Sequence, residues 1–182
     1  MMGDKNDEFF MLLEPVLNDL ENFLLSLTRN RYSARDLVNE TVLEAYKNFE
    51  NLKHKEAFLS FILSIARRMY WTAKKKEKRF NFTERQQFDE LYARNLSPEE
   101  LTDLNFLYDA LEKINVVQKE AFILGTIMGL SHKEIAKIQN TTIANVKVRI
   151  FRAKRELRKI FQNEKTEQSE NTPKFAKIGE LI

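Results

Sequence analysis

The feature that most limits the fold of this chain is a helical periodicity that runs through most of its 182 residues. Apolar side chains recur every three or four positions, the spacing that places them on one face of an α-helix. Glycine occurs only 4 times and proline only 3 times, which is too few for the turns of a β-sandwich or a β-barrel. The sequence therefore predicts an all-α protein.

Several helices are predicted before a polar segment in the middle of the chain. Pro15 is expected to separate the first helical turns from a longer helix. Ser33 and Asp36 resemble a capping box that opens the next helix near residue 34. A polar loop follows at about residues 50–55, and a long helix then runs towards Arg79. We expect these helices to pack as one small bundle. The buried face of the helix from residue 34 is expected to carry Leu37, Val38, Thr41, Val42, Ala45, Tyr46 and Phe49.

A helix-turn-helix is predicted in the C-terminal part of the chain. Ser131 and Glu134 form an S-x-x-E capping box that opens a short helix just after Gly129. Asn140 suits a left-handed turn, and Thr142 suits the N-cap of a longer last helix. The side chains that this last helix is expected to bury are Ile143, Val146, Ile150, Ala153, Leu157 and Ile160.

The net charge of +3 conceals an uneven distribution of charge along the chain. Residues 51–85 hold 10 basic and 3 acidic side chains, and residues 113–161 hold 11 and 3. Residues 86–112, between these blocks, hold 1 basic and 7 acidic side chains. Basic blocks attract polyanions, of which nucleic acid is the commonest. The alternative is that the charges belong to ordinary solvated helix faces.

Composition excludes several kinds of site. The absence of cysteine excludes a disulfide scaffold, a cysteine-ligated metal and a thiol nucleophile. Only His54 and His132 could supply imidazole, which excludes a multi-histidine metal site and argues against a serine triad. No cofactor is expected. No stretch approaches about 20 apolar residues and acidic residues precede the first apolar run, so we expect neither a membrane span nor a secretory signal, and a cytoplasmic location.

The outer side of the last helix has side chains suited to reading duplex DNA. In a helix-turn-helix, the first turns of the second helix face base edges in the major groove. Lys147 and Arg152 could bond to guanine, Asn145 to adenine, and Val148 could touch a thymine methyl group. Later basic residues would bind phosphates more naturally. The alternative is a basic amphipathic helix that packs on an acidic partner or faces solvent. The candidate duplex contacts are Ser131, Thr142, Asn145, Lys147, Val148, Arg149, Arg152, Lys154 and Arg155.

Basic and aromatic residues are interleaved in residues 58–82. Bases of an opened strand stack on aromatic rings, while lysine and arginine hold its phosphates. The alternative assigns the aromatic rings to the core. Phe58 is expected to be buried, whereas Tyr70 and Trp71 are left open between the core and nucleic acid. The candidate contacts with an opened strand are Arg67, Arg68, Tyr70, Trp71, Lys74, Lys75, Lys78 and Arg79.

Three carboxylates share one face of the helix that begins near residue 34. Asp36, Glu40 and Glu44 are spaced four residues apart, beside Asn39 and Leu43. An acidic docking surface for a protein partner is favoured over acid–base or metal chemistry, and a plain solvated face is the other alternative. The candidate docking residues are Asp36, Leu37, Asn39, Glu40, Leu43 and Glu44.

Three stretches of the chain, in this order, share their pattern with one known family. They read Asp36-Leu37-Val38-Asn39-Glu40-Thr41, then Phe58-x-x-Phe61-Ile62-x-x-Ile65-Ala66-Arg67, then Gly129-Leu130-Ser131-x-x-Glu134-Ile135-Ala136 with Val146-Lys147-x-Arg149-Ile150-x-Arg152. The chain thereby resembles the extracytoplasmic-function (ECF) sigma factors of bacterial RNA polymerase, in the sigma-70 family.

The resemblance implies a promoter-recognition subunit that has no active site of its own. The face of residues 36–44 would bind the β′ clamp of core RNA polymerase. The loop at residues 50–56 and the helix of residues 58–79 would recognise and melt the −10 element and capture a flipped base. The last helix would read the −35 element as duplex DNA. The implied partners are core RNA polymerase (β′ clamp and β flap), promoter DNA as duplex and opened strand, and an anti-sigma factor, with no membrane.

The implied organisation is a region 2-like helical domain and a region 4-like helix-turn-helix domain, joined by a flexible linker. The region 2-like domain would span residues 1–82, and the acidic linker would span 83–104. The helix-turn-helix domain would span 105–162, and a polar tail would span 163–182. The first alternative is a stand-alone helix-turn-helix regulator, which would bind its own duplex site tightly. The second is an enzyme acting on nucleic acid, and the missing cysteine, scarce histidine and lack of a glycine-rich phosphate loop argue against it.

Overall fold

The computed structural model describes the backbone of residues 2–77 and 98–167, and the side chains of residues 5–76 and 103–163. Helices dominate these ranges and no strand occurs in them, which confirms the all-α prediction. The chain divides into two compact units: one is built from the helices of residues 2–77, the other mainly from those of residues 98–167. Within the described residues, no helix combines the length and the apolar character needed to cross a membrane.

The first unit is a small helical bundle. Its α-helices are α1 (Met2–Leu13), α2 (Leu17–Thr28), α3 (Arg31–Lys47) and α4 (Phe58–Glu77). Helices α2, α3 and α4 pack against one another, as predicted. Pro15 lies in a 3-10 turn, Glu14–Val16, which separates α1 from α2. Two further 3-10 turns, Phe49–Asn51 and Lys55–Ala57, lie between α3 and α4.

The start of α3 differs from the prediction. The predicted capping box of Ser33 and Asp36 is wrong, because Asn30 caps the helix instead. The Oδ1 of Asn30 accepts a hydrogen bond from the Ser33 amide at 2.9 Å, so the helix already begins at Arg31. The buried side chains of α3 are Ala34, Leu37, Val38, Thr41 and Ala45, which confirms most of the predicted face.

Aromatic rings fill one part of the core of this bundle. Phe9 from α1 is fully buried. Its ring meets those of Tyr46, Phe49 and Phe58 edge-on, with centroid distances of 5.2, 5.3 and 5.6 Å. Phe58 is buried, as predicted. The cluster therefore packs α1 against both ends of the connection between α3 and α4.

The second unit is built mainly from the four remaining α-helices. These are α5 (Pro98–Glu112), α6 (Val116–Phe122), α7 (His132–Ile138) and α8 (Ile143–Glu167). Helix α6 continues into a π-helical turn, Ile123–Ile127, and packs along α8, which also contacts α5. Helix α5 begins within the stretch assigned to the linker; residues 83–97 of that stretch lie outside the described residues.

The connections around α7 confirm the predicted helix-turn-helix. Gly129 has φ of 71° before α7 and Asn140 has φ of 47° after it, both in the left-handed region. The Ser131 amide donates to Glu134 Oε2 at 2.8 Å, and the Glu134 amide donates to Ser131 Oγ at 3.3 Å, which forms the capping box. Thr142 Oγ1 accepts a backbone amide of the first turn of α8 at 3.2 Å, as expected for its N-cap.

Gly125 lets the π-helical turn, α7 and α8 approach one another closely. A Cβ at this position would lie 2.9 Å from Cδ1 of Ile150 in α8 and 3.1 Å from Cδ1 of Ile135 in α7. A larger residue would push these side chains apart. The lack of a side chain in the π-helical turn therefore helps to set the position of α8 against α7.

Candidate nucleic-acid interface

The exposed face of α8 carries most of the predicted duplex contacts. Val146, Ala153 and Leu157 are buried and fix the helix in the second unit. At 3.6 residues per turn, this stripe leaves the opposite face free for a partner. Arg149 and Lys154 lie half-buried at its edge. The predicted contacts in and before α8 that are exposed are Ser131, Thr142, Asn145, Lys147, Val148, Arg152 and Arg155.

Local hydrogen bonds orient two of these side chains. Asn145 Nδ2 donates to Thr141 Oγ1 at 3.1 Å, so the amide group lies across the start of α8. Ser131 Oγ donates to Glu134 Oε2 at 2.6 Å. The Ser131 hydroxyl would have to give up this bond to donate to a phosphate. Both residues stay predicted DNA contacts.

Two apolar side chains of α8 differ from the sequence analysis. Ile143 was expected to be buried but is 45% exposed, because it occupies the first position of α8, at the end of the packed stripe. Phe151 is 62% exposed and was not singled out from the sequence. It lies one helical turn after Lys147 and Val148, and this spacing alone could have placed it on the same face.

One acidic side chain lies among the basic ones of α8. Glu156 Oε1 accepts hydrogen bonds from Arg155 Nη2 at 3.1 Å and from Lys159 Nζ at 3.4 Å. These bonds, led by the one from Arg155, lower the pKa of Glu156 from its ordinary value. The carboxylate therefore stays charged at neutral pH and offsets part of the positive field of this turn.

The basic half of α4 contains one buried and one accessible aromatic ring. Tyr70 is only 6% exposed, which favours the core over nucleic acid, the two alternatives left open for this ring. Its hydroxyl accepts a hydrogen bond from Lys74 Nζ at 2.9 Å. Trp71 is half-buried, with the Arg67 guanidinium 5.9 Å from its ring centroid. Trp71 is thus the ring of this pair that a base can reach, and Lys75 is exposed nearby.

Arg68 extends from α4 towards α3. Its Nη2 lies 3.4 Å from Glu44 Oε1, which also accepts a hydrogen bond from Asn48 Nδ2 at 3.1 Å. The Arg68 side chain is nevertheless largely exposed. The last two predicted strand contacts, Lys78 and Arg79, lie outside the described residues.

The outer face of α3 presents most of the predicted docking residues. Asp36, Asn39 and Glu40 are exposed, and Leu43 is 56% exposed. We refer to these four residues as the docking strip. Leu37 is only 6% exposed and packs into the bundle, which corrects its predicted contact with a partner.

An apolar groove of about 690 Å³ adjoins the docking strip. Helices α1, α2 and α3 line it, and Asn39 and Leu43 belong to both the groove and the strip. Phe10 lines the groove and is 58% exposed. Exposed apolar surface of this kind is typical of a protein interaction site.

The loop at residues 50–56, between α3 and α4, presents polar side chains to solvent. Asn51, Lys53 and His54 are exposed. Glu50 Oε1 lies 2.8 Å from Lys5 Nζ of α1. The hydrogen bond and the charge of Lys5 lower the pKa of Glu50 from its ordinary value of 4.5.

The two units correspond to two regions of one family. The family model of sigma-70 region 2 matches residues 12–80, which include α2, α3 and α4. The family model of sigma-70 region 4 matches residues 106–157, which include α6, α7 and much of α8. Matches to both regions do not favour a stand-alone helix-turn-helix regulator.

Two relatives that are ECF RNA polymerase sigma factors agree with the match to both regions. The ECF RNA polymerase sigma factor EcfG of Rhodopseudomonas palustris is 30% identical over 142 residues, 76% of this chain and 76% of its own. The ECF RNA polymerase sigma factor SigM of Bacillus subtilis is 26% identical over 157 residues, 85% of this chain and 94% of its own.

A solved structure shares the fold. It is that of the sigma factor RpoE in complex with the anti-sigma factor NepR from Bartonella quintana. The match has a TM-score of 0.74 at 24% identity, and it covers 85% of this chain and 96% of the other. With an all-α fold, a match to both regions and relatives over most of its length, the chain belongs to the sigma-70 family, as an RNA polymerase sigma factor of the ECF group.

Proposed function

We propose that this sigma factor directs core RNA polymerase to promoters through one polymerase-binding surface and two DNA-binding surfaces. The observation that carries the proposal is the exposed basic face of α8 behind a fully capped helix-turn-helix. Lys147 and Arg152 have the reach and the donors for guanine in the −35 element. Val148 and Phe151 offer apolar surface to a thymine methyl group.

The remaining basic side chains of α8 hold the duplex without reading its sequence. Arg149, Lys154 and Arg155 lie beside or after the base-reading positions, where phosphates are the nearer targets. Such contacts release counterions, so their contribution to affinity falls as salt concentration rises. Ser131 and Thr142, at the starts of α7 and α8, are proposed backbone contacts of the same kind.

The docking strip binds core RNA polymerase at the β′ clamp. Its acidic residues, Asp36 and Glu40, attract a basic partner surface, and Leu43 provides the apolar contact at the centre. The groove beside Leu43 extends the apolar area available to the partner. Glu44 contributes at the edge of the strip, where it also holds Arg68.

The −10 element is opened and held by the loop at residues 50–56 and by α4. Trp71 is accessible for stacking on a base, at about 1–3 kcal/mol per stacked base. Opening duplex DNA costs about 1.4 kcal/mol per base step, so a few captured bases offset a short opening. Arg67, Lys74 and Lys75 bind the phosphates of the captured strand, and Arg68 does so after leaving Glu44.

The protein contributes recognition and strand opening, and the polymerase contributes the chemistry of RNA synthesis. It is accordingly proposed to have no catalytic activity of its own and to act in the cytoplasm, where polymerase and chromosome meet. An anti-sigma factor is a proposed further partner, since it could cover the exposed Leu43 and Phe10 and block polymerase binding. The β flap of the polymerase is the proposed partner of the second unit.

The division of the chain into a first domain, a linker, a helix-turn-helix domain and a tail, at residues 1–82, 83–104, 105–162 and 163–182, stays a prediction. Each DNA-binding unit is small and a flexible linker would leave the two units unfixed, so the free protein is expected to bind specific DNA weakly. Polymerase would hold the two units at the spacing of the two promoter elements, and would thereby raise the joint affinity.

Binding and melting by the purified protein test this proposal. We expect promoter duplex to be bound tightly only when core RNA polymerase is also present, and thymines of the −10 element to become reactive to permanganate in that complex. Replacing Leu43 with alanine should weaken the joint complex by about 1–2 kcal/mol. Tight, specific duplex binding by the protein alone, with no effect of polymerase, would contradict it.

A further inference from the structure

Helix α1 lies almost entirely before residue 12, where the match to region 2 begins, so that match assigns it no role. Its side chains nevertheless converge on one feature of the first unit, the loop at residues 50–56. Two ion pairs and one ring cluster make these contacts.

The ion pairs attach α1 to both sides of the loop. Lys5 Nζ lies 2.8 Å from Glu50 Oε1 at the beginning of the loop. Glu8 Oε2 lies 3.1 Å from Lys55 Nζ near its end. Lys55 is held on a second side by the Phe49 ring, whose centroid lies 3.6 Å from Nζ. Between these attachment points, the side chains of Asn51, Lys53 and His54 stay exposed.

The ring cluster fixes the residues that flank the loop. Phe9 of α1 is fully buried and contacts Phe49 on one side of the loop and Phe58 on the other. Asn6 of α1 accepts a hydrogen bond from the Tyr46 hydroxyl at the end of α3. Helix α1 therefore contacts the loop at both ends and the elements that lead into and out of it.

We infer that α1 is a positioning element for the loop: Lys5 and Glu8 hold it in the conformation in which it reads an unpaired base of the −10 element. The inference rests on the proposed function, in which this loop captures a base. Asn51, Lys53 and His54 then contact DNA, whereas Lys5 and Glu8 act through the loop and contact no base. Loss of the two ion pairs lets the loop sample other conformations, which weakens the preference for the correct base and leaves −35 recognition intact.

The test is a transcription assay with core RNA polymerase and the full-length chain. Templates carry single-base substitutions in the −10 element, with a matched set in the −35 element. The double variant Lys5→Ala/Glu8→Ala removes both ion pairs, and Asp7→Ala, an exposed acidic residue of the same helix, is its control. Exposed ion pairs are individually weak, so we expect discrimination between −10 bases to fall about threefold to tenfold in the double variant. Discrimination at −35 and the response to Asp7→Ala should stay unchanged.

Exchanging the charges of Lys5 and Glu50 distinguishes a loss of loop positioning from a loss of folding. Lys5→Glu alone should lose −10 discrimination, and Lys5→Glu with Glu50→Lys should recover it. If Lys5→Ala/Glu8→Ala discriminates −10 bases as well as wild type, or loses activity equally on every template, the positioning role is overturned.

Direct variants of the loop separate this inference from the proposed function. Asn51→Ala and His54→Ala should alter −10 discrimination. If they alter it and the α1 variants do not, the positioning role fails and the base-reading role of the loop stands. If the loop variants have no effect either, the proposed function of the loop fails with it.

Discussion

Glu44 and Arg68 join α3 and α4, the two helices of the first unit that are proposed to bind different partners. Glu44 Oε1, at the edge of the docking strip on α3, lies 3.4 Å from Arg68 Nη2 in the basic half of α4. A polymerase side chain that binds Glu44 and a phosphate that binds Arg68 would each compete with this pair. In the proposed function, polymerase docking and strand binding would therefore compete for one shared contact.

The Glu44–Arg68 pair should have a small but measurable coupling in the free protein. Both side chains are partly solvated, so a double-mutant cycle with Glu44→Gln and Arg68→Met should give about 0.2–1 kcal/mol. The measurement is the free energy of unfolding in urea. Glu40→Gln, one turn earlier on the same helix, is the control and should be additive with Arg68→Met. Additivity in both cycles would mean that the pair does not form in solution.

Alanine variants of Arg152 and Lys154 should distinguish a base contact from a phosphate contact in α8. Arg152→Ala should cost about 1–3 kcal/mol on −35 sequences that have guanine at the contacted position, and little on others. Lys154→Ala should weaken all −35 sequences alike and reduce the slope of log affinity against log salt by about 1. Both are measured by promoter binding of the polymerase complex at several salt concentrations. An equal loss across all sequences with Arg152→Ala would contradict its assignment to a base.

Alanine variants of Leu43 and Leu37 should show that one residue of α3 contributes to polymerase binding and the other to stability. Leu43→Ala removes an exposed side chain, so it should reduce affinity for core RNA polymerase by about 1–2 kcal/mol with little change in unfolding. Leu37→Ala removes a buried one, so it should lower the free energy of unfolding by about 2–5 kcal/mol. Polymerase titrations and urea denaturation measure the two effects. Normal polymerase affinity in Leu43→Ala would exclude Leu43 from the interface.

Trp71 and Tyr70 should differ in their effect on strand opening. Trp71 is accessible, so Trp71→Ala should weaken capture of the opened strand by about 1–3 kcal/mol. Tyr70 is buried, so Tyr70→Phe, which keeps the ring in the core, should open promoters as well as wild type does. Permanganate reactivity of the −10 element reports the extent of opening. The reverse order of effects would return Tyr70 to the DNA-binding surface.

The contact between Lys5 and Glu50 should be visible in the titration of Glu50. The hydrogen bond from Lys5 lowers the pKa of Glu50 below 4.5, so the folded state binds this proton less readily than the unfolded state does. The contact therefore holds above pH 4.5 and is lost as pH falls through the lowered pKa. Side-chain carboxyl chemical shifts follow the titration, and Lys5→Met should return the midpoint to about 4.5. A midpoint that does not respond to Lys5→Met would show that the contact is absent in solution.

The helix-turn-helix could be predicted because its signals are local. The Ser131–Glu134 capping box, the left-handed Asn140 and the Thr142 N-cap each depend on residues a few positions apart, and all three are confirmed. The start of α3 was predicted at Ser33 from the same kind of local signal, which is wrong because Asn30, also a good N-cap residue, caps the helix. The choice of Asn30 sets the helix three positions earlier than Ser33 would.

Residue exposure was predicted less well, because it depends on packing between helices. Tyr70 stands in a basic run, but it lies four residues after the buried Ala66 and continues its stripe into the core. Leu37 was assigned both to the buried face of α3 and to the docking residues, and only its packing in the bundle decides between them.

The central claim is that this protein makes core RNA polymerase start transcription at particular promoters. The most direct measurement is run-off transcription by core bacterial RNA polymerase on a library of genomic fragments, with and without the protein. The account predicts transcripts that start at defined sites only when the protein is present, with shared sequence elements upstream near −10 and −35. An unchanged transcript pattern, together with specific duplex binding by the protein alone, would contradict it.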